Sequence, residues 1–456
     1  MRFYGTRSRL CPALLSALAI ILLAAPVAAQ QRGTVAFVGV NVIPMDRERV
    51  LQNHTVVVQD GRITAVGPAA STQVPSGATR VDGSGKYLIP GIAEMHGHVP
   101  AVGQAGPQFA EDVLFLYIAG GATTVRGMQG HISQIELRRR VESGELVGPR
   151  LVLSGPAMAG IGGNAITDPA VAEQRVREYK QQGFDLLKVH EGLSQEVYDA
   201  IARSAKSQNM QWGGHVSDIV GLRAAIAAQQ TTVDHLDNFE IELLRDPQAG
   251  ITPQNVDESR LPALVRETRA AGVAVVPTMA LWEVIVGAHE SAPLAALPEM
   301  KYMPPQTVQN WVTQTNTSRQ NANPANAAFH VGLRNRILKA LSDGGVVVLM
   351  GTDAPQRFSV PGFSLERELD VMAAAGMSPF AILQSGTTAV ASHFGWSDTG
   401  TIATGKRADL ILLDANPLTS IANMRRRAGV MANGRWLSKA DIDARLGAIA
   451  ARYAGS

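Results

Sequence analysis

The 456-residue chain is predicted to be an α/β protein, a (β/α)8 TIM barrel with a small β-sandwich subdomain built from both chain ends. Three observations predict this. Between about residues 90 and 397, eight short apolar runs alternate with longer segments of helical periodicity. Alternating strand patterns joined by tight-turn dipeptides are confined to the two ends. Histidine, lysine and aspartate recur at the C-terminal ends of the central runs, where a parallel barrel keeps its active site. Hydrophobic residues make up 46% of the chain and charged residues 18%, enough for a large core. The formal net charge of +2 argues against a nucleic-acid footprint built on bulk charge. The basic runs at residues 138–140 and 425–427 read as solvated faces.

Taken in order, residues 1–29 are expected to be a secretory signal peptide: a basic start with Arg2, Arg7 and Arg9, an apolar stretch, and a small-residue end cut after Ala29. The apolar stretch is shorter than the ~20 residues a membrane span prefers. Export to the periplasm or the medium follows from this reading, with no membrane association in the mature form. The one cysteine, Cys11, lies inside the segment, so the mature chain would carry no thiol. Any metal must then be held by nitrogen and oxygen.

Residues 30–89 read as the N-terminal part of the β-sandwich subdomain. GTVAFVGVNVIPM and HTVVVQDGRITAVGP have strand patterning, and Asp60-Gly61 marks a two-residue hairpin. Residues 90–397 carry the barrel. Its runs are LIPGIAEMH, GATTVRGM, PRLVLSG, FDLLKVH, MQWGGH, TTVDH, VAVVPT and VVVLMGTD. Segments such as DPAVAEQRVREYKQQG and SQEVYDAIARSAKSQ between them space apolar residues at i, i+3 and i+4. A doubly wound open sheet is the alternative reading, but no G-x-G-x-x-G loop follows a strand. Residues 398–436 return to the β-sandwich subdomain through ADLILLDANPL and GVMANGRWL, with Asn433-Gly434 as the turn. Residues 437–456 read as a C-terminal helix.

The first central run ends in His96 and His98, which share a strand face because side chains alternate with period two. The pair alone suits a polar strand end as well as a metal. Lys188 lies near the end of the fourth run, His215 ends the fifth, His235 the sixth and Asp353 the eighth. Each has a local explanation by itself: a turn residue after two glycines for His215, a helix cap for Asp353. Together, four histidines, a lysine and an aspartate at converging strand ends form a ligand set that suits zinc and related divalent ions. Three further residues are candidate substrate contacts. His190 shares the strand face of Lys188. Arg126 ends the second run and would pair a substrate carboxylate or form a salt bridge within the barrel. Trp282 follows the seventh run.

The segments PGIAEMHGH, LLKVH, GGHVSD, TTVDHLDN and GTDAP, with GTIATGKRADLILLDANPL near the end, resemble the amidohydrolase superfamily of metal-dependent hydrolases over nearly the whole mature chain. The subgroup resembled includes imidazolonepropionase-like and Xaa-Pro dipeptidase-like members. The resemblance implies two divalent ions, with zinc the default. His96, His98 and Asp353 would hold the more buried ion, His215 and His235 the more exposed one, and Lys188, carboxylated by CO2, would bridge both. It further implies hydrolysis of an amide or peptide-type C–N bond in an N-acyl amino acid, dipeptide or cyclic amide. A metal-bridging hydroxide would attack, and Asp353 would act as the catalytic proton carrier. The implied partner is a small-molecule substrate, not nucleic acid; a homo-oligomer is left open. Two alternatives stand beside this. A mononuclear deaminase of the superfamily usually shows glutamate three residues after the fifth-strand histidine, where this chain has Asp218. A non-catalytic scaffold of the same fold would be expected to lack ligands.

Overall fold

The computed structural model describes residues 33–454. The expected signal peptide and Cys11 lie outside the described residues. Within them, no helix is long and apolar enough to cross a membrane.

Both chain ends contribute to one eight-stranded sheet. Its N-terminal strands are β1 (Val35–Val42), β2 (Leu51–Gln59), β3 (Arg62–Pro68), β4 (Thr79–Asp82) and β5 (Tyr87–Pro90). From the C-terminal part come Leu410–Leu413, Arg427–Ala432 and Arg435–Ser438. Tyr87–Pro90 pairs antiparallel with Leu410–Leu413 and so stitches the two ends together. Expecting two stacked sheets therefore needs correcting: the ladder is continuous. It curls so that the hairpin tips at Gly61 and Gly434 meet, and a Cβ on Gly434 would lie 2.3 Å from the Gly61 Cα. Curling lets Phe37, Val56, Val58, Leu88, Leu410 and Met431 bury against one another as a single core. The Asp60-Gly61 and Asn433-Gly434 turns sit where the hairpin signals put them, with φ of 50° and 77° in the first and 51° and 76° in the second.

The first central run is two strands, not one. Tyr87–Pro90 belongs to the terminal sheet, and β6 (Ile92–Gly97) begins the central architecture. The break falls at Gly91, whose N–H donates to Asp409. A Cβ at Gly91 would lie 2.1 Å from Thr123 Oγ1, so only glycine lets the chain cross here.

The central strands are all parallel. β6, β7 (Ala122–Gly127) and β8 (Arg150–Leu153) make one sheet. β9 (Leu186–Val189), β10 (Gln211–Gly214), β11 (Thr232–Asp234) and β12 (Ala274–Val276) make another. Helices such as Pro169–Gln181, Gln195–Ser207 and Leu261–Ala270 separate them, in a TIM-barrel-like α/β arrangement. The helix at Pro169 starts as its sequence demands, with Asp168 capping Ala170 N and proline in the first turn.

Among the described residues the two sheets do not merge into one continuous closed ladder. Two isolated parallel bridges, Ser154 to Leu186 and Met158 to Val189, link the segment that follows β8 to β9. VVVLMGTD forms only an isolated bridge, Val348 to Val275, instead of the eighth full strand expected. The backbone hydrogen bonds explain this. Met95 N donates to Met350 O at 2.7 Å across the seam, but Met350 N donates to Ser385 O and Ala93 N to Gly386 O. The turn at Ser385-Gly386 intercepts donors that a regular ladder would use. Gly386 can enter because it has no side chain; a Cβ there would press on Ile92 at 2.8 Å.

Candidate metal centre

Five of the candidate ligands sit at or just after the C-terminal ends of central strands, Asp353 follows the isolated bridge at Val348, and backbone bonds fix their spacing. Asp353 N donates to His96 O at 2.6 Å, His98 N to Ala354 O at 2.7 Å, His215 N to Val189 O at 3.1 Å and His235 N to Val276 O at 2.7 Å. The hydroxyl of Tyr117 accepts from His98 N at 3.2 Å and donates to Ala354 O at 2.6 Å, tying the first and last ligand loops. His235 and Asp353 have φ of 65° and 60°, a left-handed conformation that costs about 1–3 kcal/mol each in non-glycine residues. The surrounding bonds hold both there. The glycine pair before His215 also has a spatial reason. A Cβ on Gly214 would lie 2.6 Å from Lys188 Cδ, so glycine leaves room for the lysine to reach the centre.

The side chains converge. His96 Nε2 lies 3.1 Å from Lys188 Nζ and 3.6 Å from Asp353 Oδ1. His98 Nε2 is 3.0 Å from the same oxygen, and His235 Nε2 is 3.6 Å from Asp353 Oδ2. The imidazoles of His96 and His235, and those of His235 and His215, have centroids 4.5 Å apart. His235 Nε2 and Asp353 Oδ1 are buried with no well-formed hydrogen bond. Buried polar atoms left this way are costly unless something else binds them.

The opposite ring nitrogens show which atoms would face an ion. His96 Nδ1 lies 2.6 Å from Asp234 Oδ2, His215 Nδ1 2.7 Å from Asp237 Oδ2, and His235 Nδ1 2.7 Å from Thr278 Oγ1. For His215 and His235 the hydrogen-bonded acceptor holds the proton at Nδ1 and frees the Nε2 lone pair, as metal-binding histidines require, whereas the Asp234 carboxylate lies close to His96 Nδ1 without a well-formed hydrogen bond. A donor set of such imidazoles with Asp353 fits a divalent ion. Glu191, His215 and Asp237 also cluster, but through His215 Nδ1. Asp237 additionally accepts from Val216 N at 3.2 Å, so this group orients the ring.

Electrostatics points the same way. Burial, reinforced by Lys188 and other nearby charges, pushes the His215 pKa down to about 3 and that of His96 well below the usual imidazole range. Burial and the neighbouring His96 and His215 do the same to His235. These rings are therefore neutral and available as ligands. Burial also lowers the Lys188 pKa, against the pull of Asp234 and Asp353. For the Asp353 carboxyl, burial acts upward, but His96, His98 and Lys188 outweigh it and hold the group ionised. In the metal-free chain the signs give a defined pH response. His215, lowered from 6.5 to about 3, contributes stability above pH 6.5 that is lost as pH falls toward 3. Glu94 and Glu368, raised by burial to about 8 and about 7, contribute stability below pH 4.5 that is lost as pH rises through those values. Urea midpoints of the metal-free protein should fall below pH 4.5 and again from about 6.5 to 8, so that the maximum lies between these windows, where the trends oppose. A monotonic profile would contradict this.

The candidate substrate contacts divide. His190 and Trp282 line a cavity of about 380 Å³ that opens onto the centre, together with Met128, Gln129, Ile285 and Gln356. Arg126 does not: of its two expected roles the structure shows the internal salt bridge, and the role as partner for a substrate carboxylate is corrected. It is fully buried inside the barrel, donating to Met95 O, to Thr232 Oγ1 at 3.0 Å and to Asp234 Oδ2 at 3.0 Å. It neutralises the carboxylate that steadies His96. Replacing Asp234 with asparagine should weaken metal binding about 10- to 100-fold, because Arg126 loses its counter-charge and His96 its strong acceptor. Competition with a chelator would measure it; unchanged affinity would contradict the role.

Sequence reasoning missed Asp234, Asp237, Thr278 and Arg334. Asp234 and Asp237 flank His235 within TTVDHLDN, a usable signal. Arg334, from the helix Pro324–Asp343, donates to His235 O at 2.6 Å, and its guanidinium lies 4.7 Å from the Trp282 ring centroid. Nothing local in the sequence marks it.

A TIM-barrel-like scaffold carrying this centre at its strand ends defines the class, a metal-dependent hydrolase. The amidohydrolase family profile matches residues 87–437. The chain belongs to the amidohydrolase family, whose members act on C–N bonds. It is 38% identical over 76 residues to the imidazolonepropionase of Mycolicibacterium smegmatis (strain ATCC 700084 / mc(2)155), 16% of this chain and 19% of that protein. It is 36% identical over 76 residues to the enamidase of Eubacterium barkeri, 17% of this chain and 20% of that one. The matched stretch thus spans about a fifth of these curated relatives. Among solved structures, bottromycin amidohydrolase aligns over 92% of both chains with TM-score 0.72 and 24% identity. A Bifidobacterium longum protein classed as a prolidase aligns over 92% of this chain and 99% of its own, with TM-score 0.68 and 25% identity.

Proposed function

We propose that the chain is an exported amidohydrolase that uses two divalent ions, zinc by default, to hydrolyse an amide or peptide-type C–N bond in a small molecule. The observation that supports this is the gathering of His96, His98, His215 and His235 around Asp353 and Lys188, with Nδ1 of His215 and of His235 hydrogen-bonded to Asp237 and Thr278. His96, His98 and Asp353 would hold one ion, His215 and His235 the other, and Lys188 as its carbamate would bridge them. Burial favours the neutral amine that carbamate formation needs. When bound, such ions acidify water and polarise a carbonyl.

The chain's own groups supply the rest. Asp353 is ionised, buried and close to His98, so it can take a proton from attacking water and return it to the leaving nitrogen. Trp282 and Ile285 border the cavity and give it an apolar wall. The deaminase alternative has less support, because Asp218 is exposed and does not border the cavity. The residue divisions 30–89 with 398–436, 90–397 and 437–456, and export after cleavage at Ala29, form part of the proposal.

Metal analysis of the purified protein, followed by assay of N-acyl amino acids, dipeptides and cyclic amides, tests it. Two ions per chain with amide cleavage are expected. One ion with an unmodified Lys188 would favour the deaminase, and no ion with no activity the scaffold.

A further inference from the structure

The histidines around the centre are sorted by what their Nδ1 atoms meet. His215 Nδ1 faces Asp237 and His235 Nδ1 faces Thr278, so each keeps its proton at Nδ1 and frees Nε2. His190 is the opposite case. Its Nδ1 accepts from the Glu191 backbone N–H at 2.8 Å. A backbone N–H only donates, so this Nδ1 carries no hydrogen, and the ring hydrogen stands on Nε2.

The ring is held in place and its far edge is open. His190 N donates to Met158 O at 2.9 Å and Met158 N to Lys188 O at 2.8 Å, which pins the strand end on both sides of Val189. The imidazole packs against that of His215, with centroids 4.3 Å apart. Among the described residues Nε2 has no protein partner, yet it is not one of the enclosed unpartnered atoms, so it reaches open space. The space that His190 borders is the cavity of about 380 Å³, which Lys188, His215 and Asp353 also line.

A metal needs the Nε2 lone pair, which this tautomer does not offer. An oxygen acceptor needs the N–H, which it does offer. Lys188, His215 and Asp353 belong to the candidate ligand set, so His190 supplies an N–H at the edge of the centre that no ligand role consumes. A donor fixed by its own backbone before substrate arrives loses little freedom on binding, and it acts most strongly on charge that develops beside it. Hydrolysis at this centre requires the scissile carbonyl to come there, next to His215.

We propose that His190 donates through Nε2–H to the scissile carbonyl oxygen of the bound substrate, and is not a further metal ligand. This rests on the amide-hydrolase reading. The test uses metal-loaded protein, wild type and two variants. In His190→Asn the side-chain oxygen still accepts from Glu191 N, but the amide does not reach the Nε2 position. In His190→Gln the amide nitrogen takes the Nε2 position, so this variant is the rescue. In nitrogen NMR of labelled histidine rings, the signals lost in His190→Asn should be those of an Nε2–H ring. Both variants should keep the wild-type metal content. On the amides assayed above, His190→Asn should lower kcat about 10²-fold with KM little changed, and His190→Gln should restore most of it. Methylphosphonate, a tetrahedral anion, reads the donor without turnover. Its affinity by calorimetry should fall about tenfold in His190→Asn and recover in His190→Gln. A metal-shifted Nε2 signal, or metal lost from His190→Asn, would make His190 a ligand and overturn the proposal. Unchanged kcat, or a loss confined to KM, would overturn the carbonyl assignment and leave amide hydrolysis standing. No cleavage by the wild type, with methylphosphonate weakened in His190→Asn alone, would overturn amide hydrolysis and support the donor. No cleavage and an unchanged methylphosphonate affinity would overturn both.

Discussion

Asp353→Asn should lower turnover by about three orders of magnitude while leaving the protein folded. The substitution keeps shape and removes charge. Asparagine tolerates the left-handed backbone that Asp353 adopts at φ 60°, so the strand-end geometry survives. What goes is the anion facing His96, His98 and His235, and with it the capacity to take a proton from water and hand it to nitrogen. Metal affinity should drop as well, because a neutral amide oxygen is a weaker ligand than a carboxylate. Turnover under saturating metal separates the two effects. A variant that regained full activity with excess metal would show Asp353 to be a ligand alone, without a role in proton transfer.

Lys188→Ala should reduce the bound metal from two ions to one and lower activity by about 10²- to 10⁴-fold. Lys188 is 3% exposed, within a strand whose four residues are all buried, and its Nζ is 3.1 Å from His96 Nε2. A buried ammonium beside imidazoles would repel cations, whereas a carbamate would bind two of them. Truncation to alanine leaves a space in which acetate or propionate can stand in for the missing carboxylate. Partial recovery of both stoichiometry and activity on adding such acids is therefore expected. Mass spectrometry under CO2 should also show the wild-type lysine carrying one added CO2. Unchanged stoichiometry in the variant would remove Lys188 from the ligand set and leave a single-ion centre.

Much of the candidate centre was legible because its signals are local. His96 and His98 lie two residues apart on a strand, so they share a face whatever surrounds them. His215, His235 and Asp353 each end an apolar run, and parallel barrels gather such ends. Arg126 was legible as a strand-end residue that could form a buried salt bridge, but its partner was not. Its partner, Asp234, lies 108 positions away in sequence and meets it only inside the barrel. Trp282 lines the cavity, and the cation against its ring, Arg334, comes from a later helix.

The sequence by itself determined the alternation of elements, the hairpins at Asp60-Gly61 and Asn433-Gly434, and the chemical types gathered at the strand ends. Periodicity and turn chemistry act over a few residues, so they can be read along the chain. The tertiary structure alone decided that the terminal strands form one curled sheet, that the Ser385-Gly386 turn interrupts the barrel-like seam, and which oxygens anchor His215 and His235. Those outcomes depend on contacts between segments tens to hundreds of residues apart. There the competition for each donor and each buried charge is settled by packing, not by neighbours in sequence.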